Sequence, residues 1–137
     1  MSRREPRVLW AIAAGGALGA AARYGVAQLV HVRPAGFPWA TFWTNLSGSF
    51  VLGLALALIL ERFPPSRYVR PFFATGFLGA YTTYSTFAVE TVLLAKDGHA
   101  GVAFAYALIS VAAGLTTVWA GIWVAGLVPV TGRGGRK

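Results

Sequence analysis

The sequence has no cysteine, one methionine and two histidines, and only four of its 137 residues are acidic. Without cysteine there is neither a disulfide framework nor a thiolate for catalysis or metal binding. The carboxylates are Glu5, Glu61, Glu90 and Asp97, and His31 and His99 fall between apolar runs, where they read as solvated loop residues. No nucleophile, base and orienting acid can be assembled from so small a set, so an enzyme is not expected. Charge as a whole is scarce, at 12% of residues, whereas about 25% is usual in a soluble domain.

What takes the place of charge is apolar bulk: 56% of residues are hydrophobic and the mean hydropathy is +0.61. Stretches without a charge run over 8–22, 34–60, 71–89 and 98–132. A spanning helix needs about 20 mostly apolar residues. The pattern predicts an all-α membrane protein with four spans, near Val8 to Val30, Trp39 to Leu60, Val69 to Leu94 and Ala100 to Val128. Residues 1–128 form one domain, and the basic tail 129–137 is expected to be disordered. Because apolar segments continue to residue 128, the first reads as structural and not as a cleaved leader. The connections "HVRPAGFP" and "ERFPPSRYVRP" carry helix-breaking prolines, and "AKDGH" carries an Asp-Gly turn signal. Trp39, Trp43 and Trp123 lie near the expected membrane faces, as in an aromatic belt.

The net charge of +8 is explained by basic residues at helix ends beside lipid head groups better than by a nucleic-acid partner. With four spans both termini share a side, which holds Arg3, Arg4, Arg7, Arg62, Arg67, Arg70, Arg133, Arg136 and Lys137; the other side has Arg33 and Lys96. The positive-inside rule then puts both termini in the cytoplasm of a cell-membrane protein.

Each span carries small or polar residues at intervals of three or four, hence on one face. In the first, Gly15 and Gly19 read as a close-packing pair, and Arg23 either snorkels to the surface or lines an aqueous vestibule. In the second, Thr41, Asn45 and Ser49 follow at intervals of four. An unpaired amide in hydrocarbon costs several kcal/mol, so Asn45 must meet another helix or a permeating species. In the fourth, Tyr106, Ser110, Gly114, Thr117 and Gly121 form a stripe that fits a packing seam or a pore.

The third span decides between these. "GFLGAYTTYSTF" over 76–87 is too polar for lipid and too β-branched for a comfortable helix. A break is expected there. Irregular backbone at membrane depth is tolerated only where it is buried in protein or lines a wet path. Carbonyls freed by such a break suit a hard cation, and hydroxyls and ring edges beside them suit an anion.

"GFLGAYTTYSTFAVE", with "TFWTNLSGSFVLG" and "GGALGAAARYG" upstream, closely resembles the CrcB/Fluc family of fluoride channels over essentially the whole chain. The resemblance implies an antiparallel, dual-topology-type dimer of four-helix subunits, with two fluoride pathways and a central structural sodium ion. It assigns the sodium carbonyls to Gly79 and Thr82 and the fluoride-donating amide to Asn45. Phe87 matches the second ring of an aromatic pair whose first member, usually Phe, is here Tyr84. Ser85, Thr86, Tyr106 and Ser110 match a polar track with Thr41 near it, Glu90 the acid below the rings, and Arg23 the vestibule arginine. The unequal loop charge resembles members that pair with an oppositely biased paralogue. Two rival readings are a proton-coupled small multidrug transporter, for which only Glu90 lies deep enough, and a mainly structural subunit of a heterodimer.

Overall fold

The computed structural model describes residues 5–31, 36–61 and 66–128, with Glu5, Leu60 and Glu61 described by backbone alone. Helix α1 spans Glu5–Leu29 and α2 spans Trp39–Glu61. A π-helical segment, Pro71–Leu78, runs into a single turn, α3 (Gly79–Tyr81); α4 (Tyr84–Lys96) and α5 (Ala100–Gly126) follow. No strand occurs among the described residues. Arg3, Arg4, Arg33, Arg62, the three tail cations, Pro34, Pro64, Pro65 and the tail 129–137 lie outside the described residues.

The expected boundaries hold to within a few residues for the first, second and last helices. The expected third helix is divided, for reasons given below. Pro71 does not break this region. It opens the π-helical segment, where a missing N–H costs nothing. The Asp-Gly signal marks a Schellman end to α4: Gly98 takes φ 85°, its N–H donates to Ala95 O at 3.3 Å, and His99 N–H donates to Leu94 O at 2.8 Å.

Glycines let the backbones touch. A methyl group at Gly15 or Gly19 of α1 would run into the Phe72 or Phe77 carbonyl, so α1 lies directly on the π-helical segment. Gly53 meets the Val118 carbonyl and Gly121 the Phe50 carbonyl, which seals α2 against α5. Because Ser49 faces Gly114 and Gly53 faces Val118, α2 and α5 run in the same direction. The final helical half of the third region, α4, packs on α5.

The distribution of side chains is inverted relative to a water-soluble protein. Thr41, Thr44 and Thr83 are buried, while Leu18, Leu108, Val111, Leu115 and Trp119 are each more than half exposed. In water so large an apolar surface would be a liability. In a bilayer, small and polar groups inside and large apolar groups outside are what helix association requires. Among the described residues two helices, Trp39–Ile59 and Ala100–Gly126, are long and apolar enough to cross a membrane by length and composition. α1 has the length, 25 residues, but its alanines and glycines dilute its hydropathy, and neither half of the third region is long enough alone.

Candidate functional site

The third region breaks at two residues. Thr82 (φ −74°, ψ 156°) and Thr83 (φ −145°, ψ 115°) are extended between the turn of α3 and the start of α4. The cause lies partly in Thr83 and partly in α2. Thr83 Oγ1 caps α4 by accepting from Thr86 N–H at 3.1 Å. Asn45 of α2 grips the same residue's backbone from both sides: Thr83 N–H donates to Asn45 Oδ1 at 2.8 Å, and Asn45 Nδ2 donates to Thr83 O at 2.9 Å. A side-chain amide thus replaces a neighbouring peptide unit, and the N–H and C=O of Thr83, the buried residue of the break, are both paired.

The break leaves the carbonyls of Gly79, Ala80, Tyr81 and Thr82 without the donors a continuous helix would give them. In an uninterrupted helix Gly79 O would accept from Thr83 N–H, and Thr82 O from Thr86 N–H. The first donor is spent on Asn45 and the second on the Thr83 hydroxyl. Of these four residues, Gly79 and Thr82 also border a cavity. No group of three His, Cys, Asp or Glu side chains able to hold a metal occurs among the described residues. Neutral carbonyls of this kind suit a hard, weakly charged cation.

The break borders two cavities. One, of ≈ 320 Å³, is lined by Asn45, Ser49, Gly79, Thr82, Tyr84 and Phe87 among others. One N–H of the Asn45 amide is committed to Thr83 O, and the other is free to meet an occupant. The rings of Tyr84 and Phe87 lie 6.0 Å apart at 44°, and Tyr84 is 81% exposed. The second cavity, of ≈ 270 Å³, is lined by Arg23, Tyr24, Thr41, Thr44, Thr83 and Thr86. Thr83 is the wall common to both.

Behind the rings lies a polar cluster on three helices. Glu90 Oε1 accepts from Thr41 Oγ1 at 2.9 Å, and Oε2 accepts from the Tyr106 hydroxyl at 2.8 Å. Tyr106 is completely buried, its ring 5.1 Å from that of Phe87 and 5.1 Å from that of Phe37. Ser110 Oγ is buried with no hydrogen-bond partner. Ser85 Oγ pairs with Thr83 Oγ1 at 3.3 Å, and the Thr83 hydroxyl donates to Thr86 Oγ1 at 2.9 Å.

The structure therefore gathers Asn45, Gly79, Thr82, Tyr84 and Phe87 at one cavity and Arg23, Thr41 and Thr86 at the other. Glu90 and Tyr106 form the cluster beside them, and Ser110 stands apart from both linings. Sequence reasoning left Asn45 to meet another helix or a permeating species, with the resemblance assigning it to fluoride; in the structure half of its polar capacity holds the Thr83 backbone. It also missed Thr83, Thr44 and Gly48. Thr83 had a local signal, since a Thr three residues ahead of Thr86 is in N-cap register. Thr44 and Gly48 had none.

A divided helix held by an interhelical amide, with unpaired carbonyls and aromatic rings around a largely apolar cavity, fits a small helical membrane protein of the ion-handling class. The model of the CrcB-like protein family, described as Camphor Resistance (CrcB), matches residues 10–122. The chain is 45% identical over 118 residues to "Fluoride-specific ion channel FluC 1" of Mycolicibacterium paratuberculosis, covering 86% of this chain and 89% of that one. It is 42% identical over 123 residues to FluC 1 of Streptomyces coelicolor (90% and 80%), and 44% over 119 residues to FluC of Acidobacterium capsulatum (86% and 94%). The chain belongs to the CrcB family, whose named relatives here are ion channels and not enzymes.

Proposed function

We propose that this protein is a fluoride-selective channel subunit that lets fluoride leave the cytoplasm across the cell membrane. The observation that carries the reading is the break at Thr82 and Thr83, pinned by Asn45 and set beside Phe87. Fluoride is small and holds its water tightly, so a path for it must offer substitute donors and partial positive charge. The free N–H of Asn45 is one donor, and the ring edge of Phe87 is electropositive because the aromatic quadrupole is negative on its face. The Tyr84 ring offers the same edge and adds a hydroxyl. Arg23 raises the positive potential of the second cavity, where Thr41 and Thr86 supply hydroxyls. No contact is a full charge pair in a closed site, in keeping with the need to bind an ion and then release it.

The carbonyls of Gly79 and Thr82 would hold a sodium ion. That ion would supply a fixed positive charge near the path. One chain offers two such oxygens at the cavity, and a second, similar subunit related by an approximate twofold axis would bring four, closer to the six or so oxygens hard cations favour. This supports a dimer, with the heavily exposed Tyr84 at or near its partner. The subunits would be antiparallel and each would cross four times, with α1 and the third region running one way and α2 and α5 the other. Nine cations at one set of helix ends and flanks against two at the other favour one orientation for this chain, both termini cytoplasmic. An oppositely biased paralogue is then the natural partner. In Streptomyces avermitilis two relatives carry the names FluC 2 and FluC 3, so at least one organism has more than one such chain. The transporter reading is disfavoured because both oxygens of Glu90, its only candidate proton carrier, are occupied by Thr41 and Tyr106.

The test is ion efflux from liposomes holding this chain, alone and with an oppositely biased paralogue. Fluoride release with little chloride release is expected. Equal release of both halides, or drug and proton exchange with no fluoride release, would overturn the reading.

A further inference from the structure

Gly48 is buried on α2, one turn from Asn45, and borders the same cavity. It differs from every other buried glycine among the described residues. Gly15, Gly19, Gly53, Gly76 and Gly121 each face a backbone carbonyl of a neighbouring helix, and their role is to let two backbones approach. Gly48 instead faces a side-chain methyl, the Cγ2 of Thr82. A β-carbon at Gly48 would overlap that methyl, while the next atoms, on the Tyr81 ring, lie at 3.2 and 3.5 Å, a spacing an aromatic edge can yield to.

The Thr82 methyl is held toward α2 by the bond that residue's hydroxyl makes. Its hydroxyl donates to Leu78 O at 2.8 Å, which sets χ1 and commits Cγ2 to the α2 side. Its N–H donates to the same oxygen at 3.0 Å, so the residue is held to the last turn of α3. Beyond it, the Asn45 grip fixes Thr83. The direction of the Thr82 carbonyl, which lies between those anchors, is therefore sensitive to any push on the methyl.

We propose that Gly48 is a positioning residue for the cation site: its absent side chain is the recess that seats the Thr82 methyl and so aims the Thr82 carbonyl. The proposal rests on the reading of Gly79 and Thr82 as sodium ligands and adds a residue that is not itself a ligand of the ion.

The experiment measures stabilisation of the purified dimer by sodium, read as melting temperature against sodium concentration with N-methylglucamine as the replacing cation. Gly48→Ala is expected to raise the half-maximal sodium concentration by about tenfold or more, since overpacking forces the neighbour off its position. Thr82→Ser removes only the methyl and keeps the hydroxyl bond to Leu78. Alone it should stay within about threefold of the native chain, and combined with Gly48→Ala it should restore sodium binding to about that level, because an unfilled or relieved contact costs less than a clash. Gly53→Ala, equally crowded but facing the Val118 backbone, should lower the melting temperature at every sodium concentration without moving the half-maximal value. If Gly48→Ala assembles too poorly to titrate, recovery of assembled dimer on adding Thr82→Ser becomes the readout, and no recovery overturns the proposal. So does unchanged sodium dependence in Gly48→Ala. Absence of any sodium dependence in the native dimer would instead remove the sodium site itself, and this role for Gly48 with it.

Discussion

Replacing Asn45 by Leu tests the point at which fold and function meet. The change removes both bonds to Thr83, at 2.8 and 2.9 Å, from a residue only 7% exposed. Leaving a buried backbone N–H and C=O unpaired costs about 1–3 kcal/mol each. Interhelical hydrogen bonds in membranes average nearer ~0.6 kcal/mol because the chain finds substitute partners. Here a substitute is at hand, since Thr83 N–H can return to Gly79 O and close the helix. The expected loss is therefore about 2–4 kcal/mol of subunit stability, accompanied by straightening of the third region and loss of the freed Gly79 carbonyl. Three readouts should move together: melting temperature, its dependence on sodium, and fluoride efflux from liposomes. Asn45→Asp separates the two jobs of the amide. It keeps an acceptor for Thr83 N–H but offers no donor to the cavity and adds a charge that repels anions, so efflux should fall further than stability. Native fluoride efflux together with native sodium dependence in Asn45→Leu, measured with both subunits carrying the change, would refute the reasoning.

Other outcomes follow from neighbouring contacts. Phe87→Ile keeps most of the volume but removes the aromatic ring from the cavity wall, so fluoride efflux should fall by about tenfold with less than about 1.5 kcal/mol lost in stability. Tyr106→Phe leaves Glu90 Oε2 without its donor while preserving the ring contacts to Phe87 and Phe37; a cost of about 1 kcal/mol and a severalfold slower efflux are expected, checked by melting and flux on the same preparation. Gly121→Ala should drive α2 and α5 apart and cost about 1–3 kcal/mol, seen as reduced assembled protein in detergent, with the flux per surviving channel little changed.

Several features could be read along the chain because each depends on local chemistry. Membrane residence follows from charge-free stretches, the Asp97-Gly98 stop from a residue that tolerates positive φ, and the expectation of a break from the crowding of β-branched and hydroxyl side chains between Gly79 and Phe87. The stripe of Thr41, Asn45 and Ser49 was likewise visible as a helical period. The exact residues of the break were not, because they are set by a partner 38 positions away: Asn45 competes successfully for the Thr83 peptide only once α2 lies alongside. Nor could the sequence reveal that Glu90 is shared by Thr41 and Tyr106 from two other helices, or that Gly48 faces a methyl and not a backbone. Periodicity tells which residues share a face of one helix, but it carries no information on the rotation and depth at which two helices meet. Those are decided by interlocking glycines and carbonyls, and only the packed bundle sets a run of polar residues and its unpaired carbonyls beside a pair of rings.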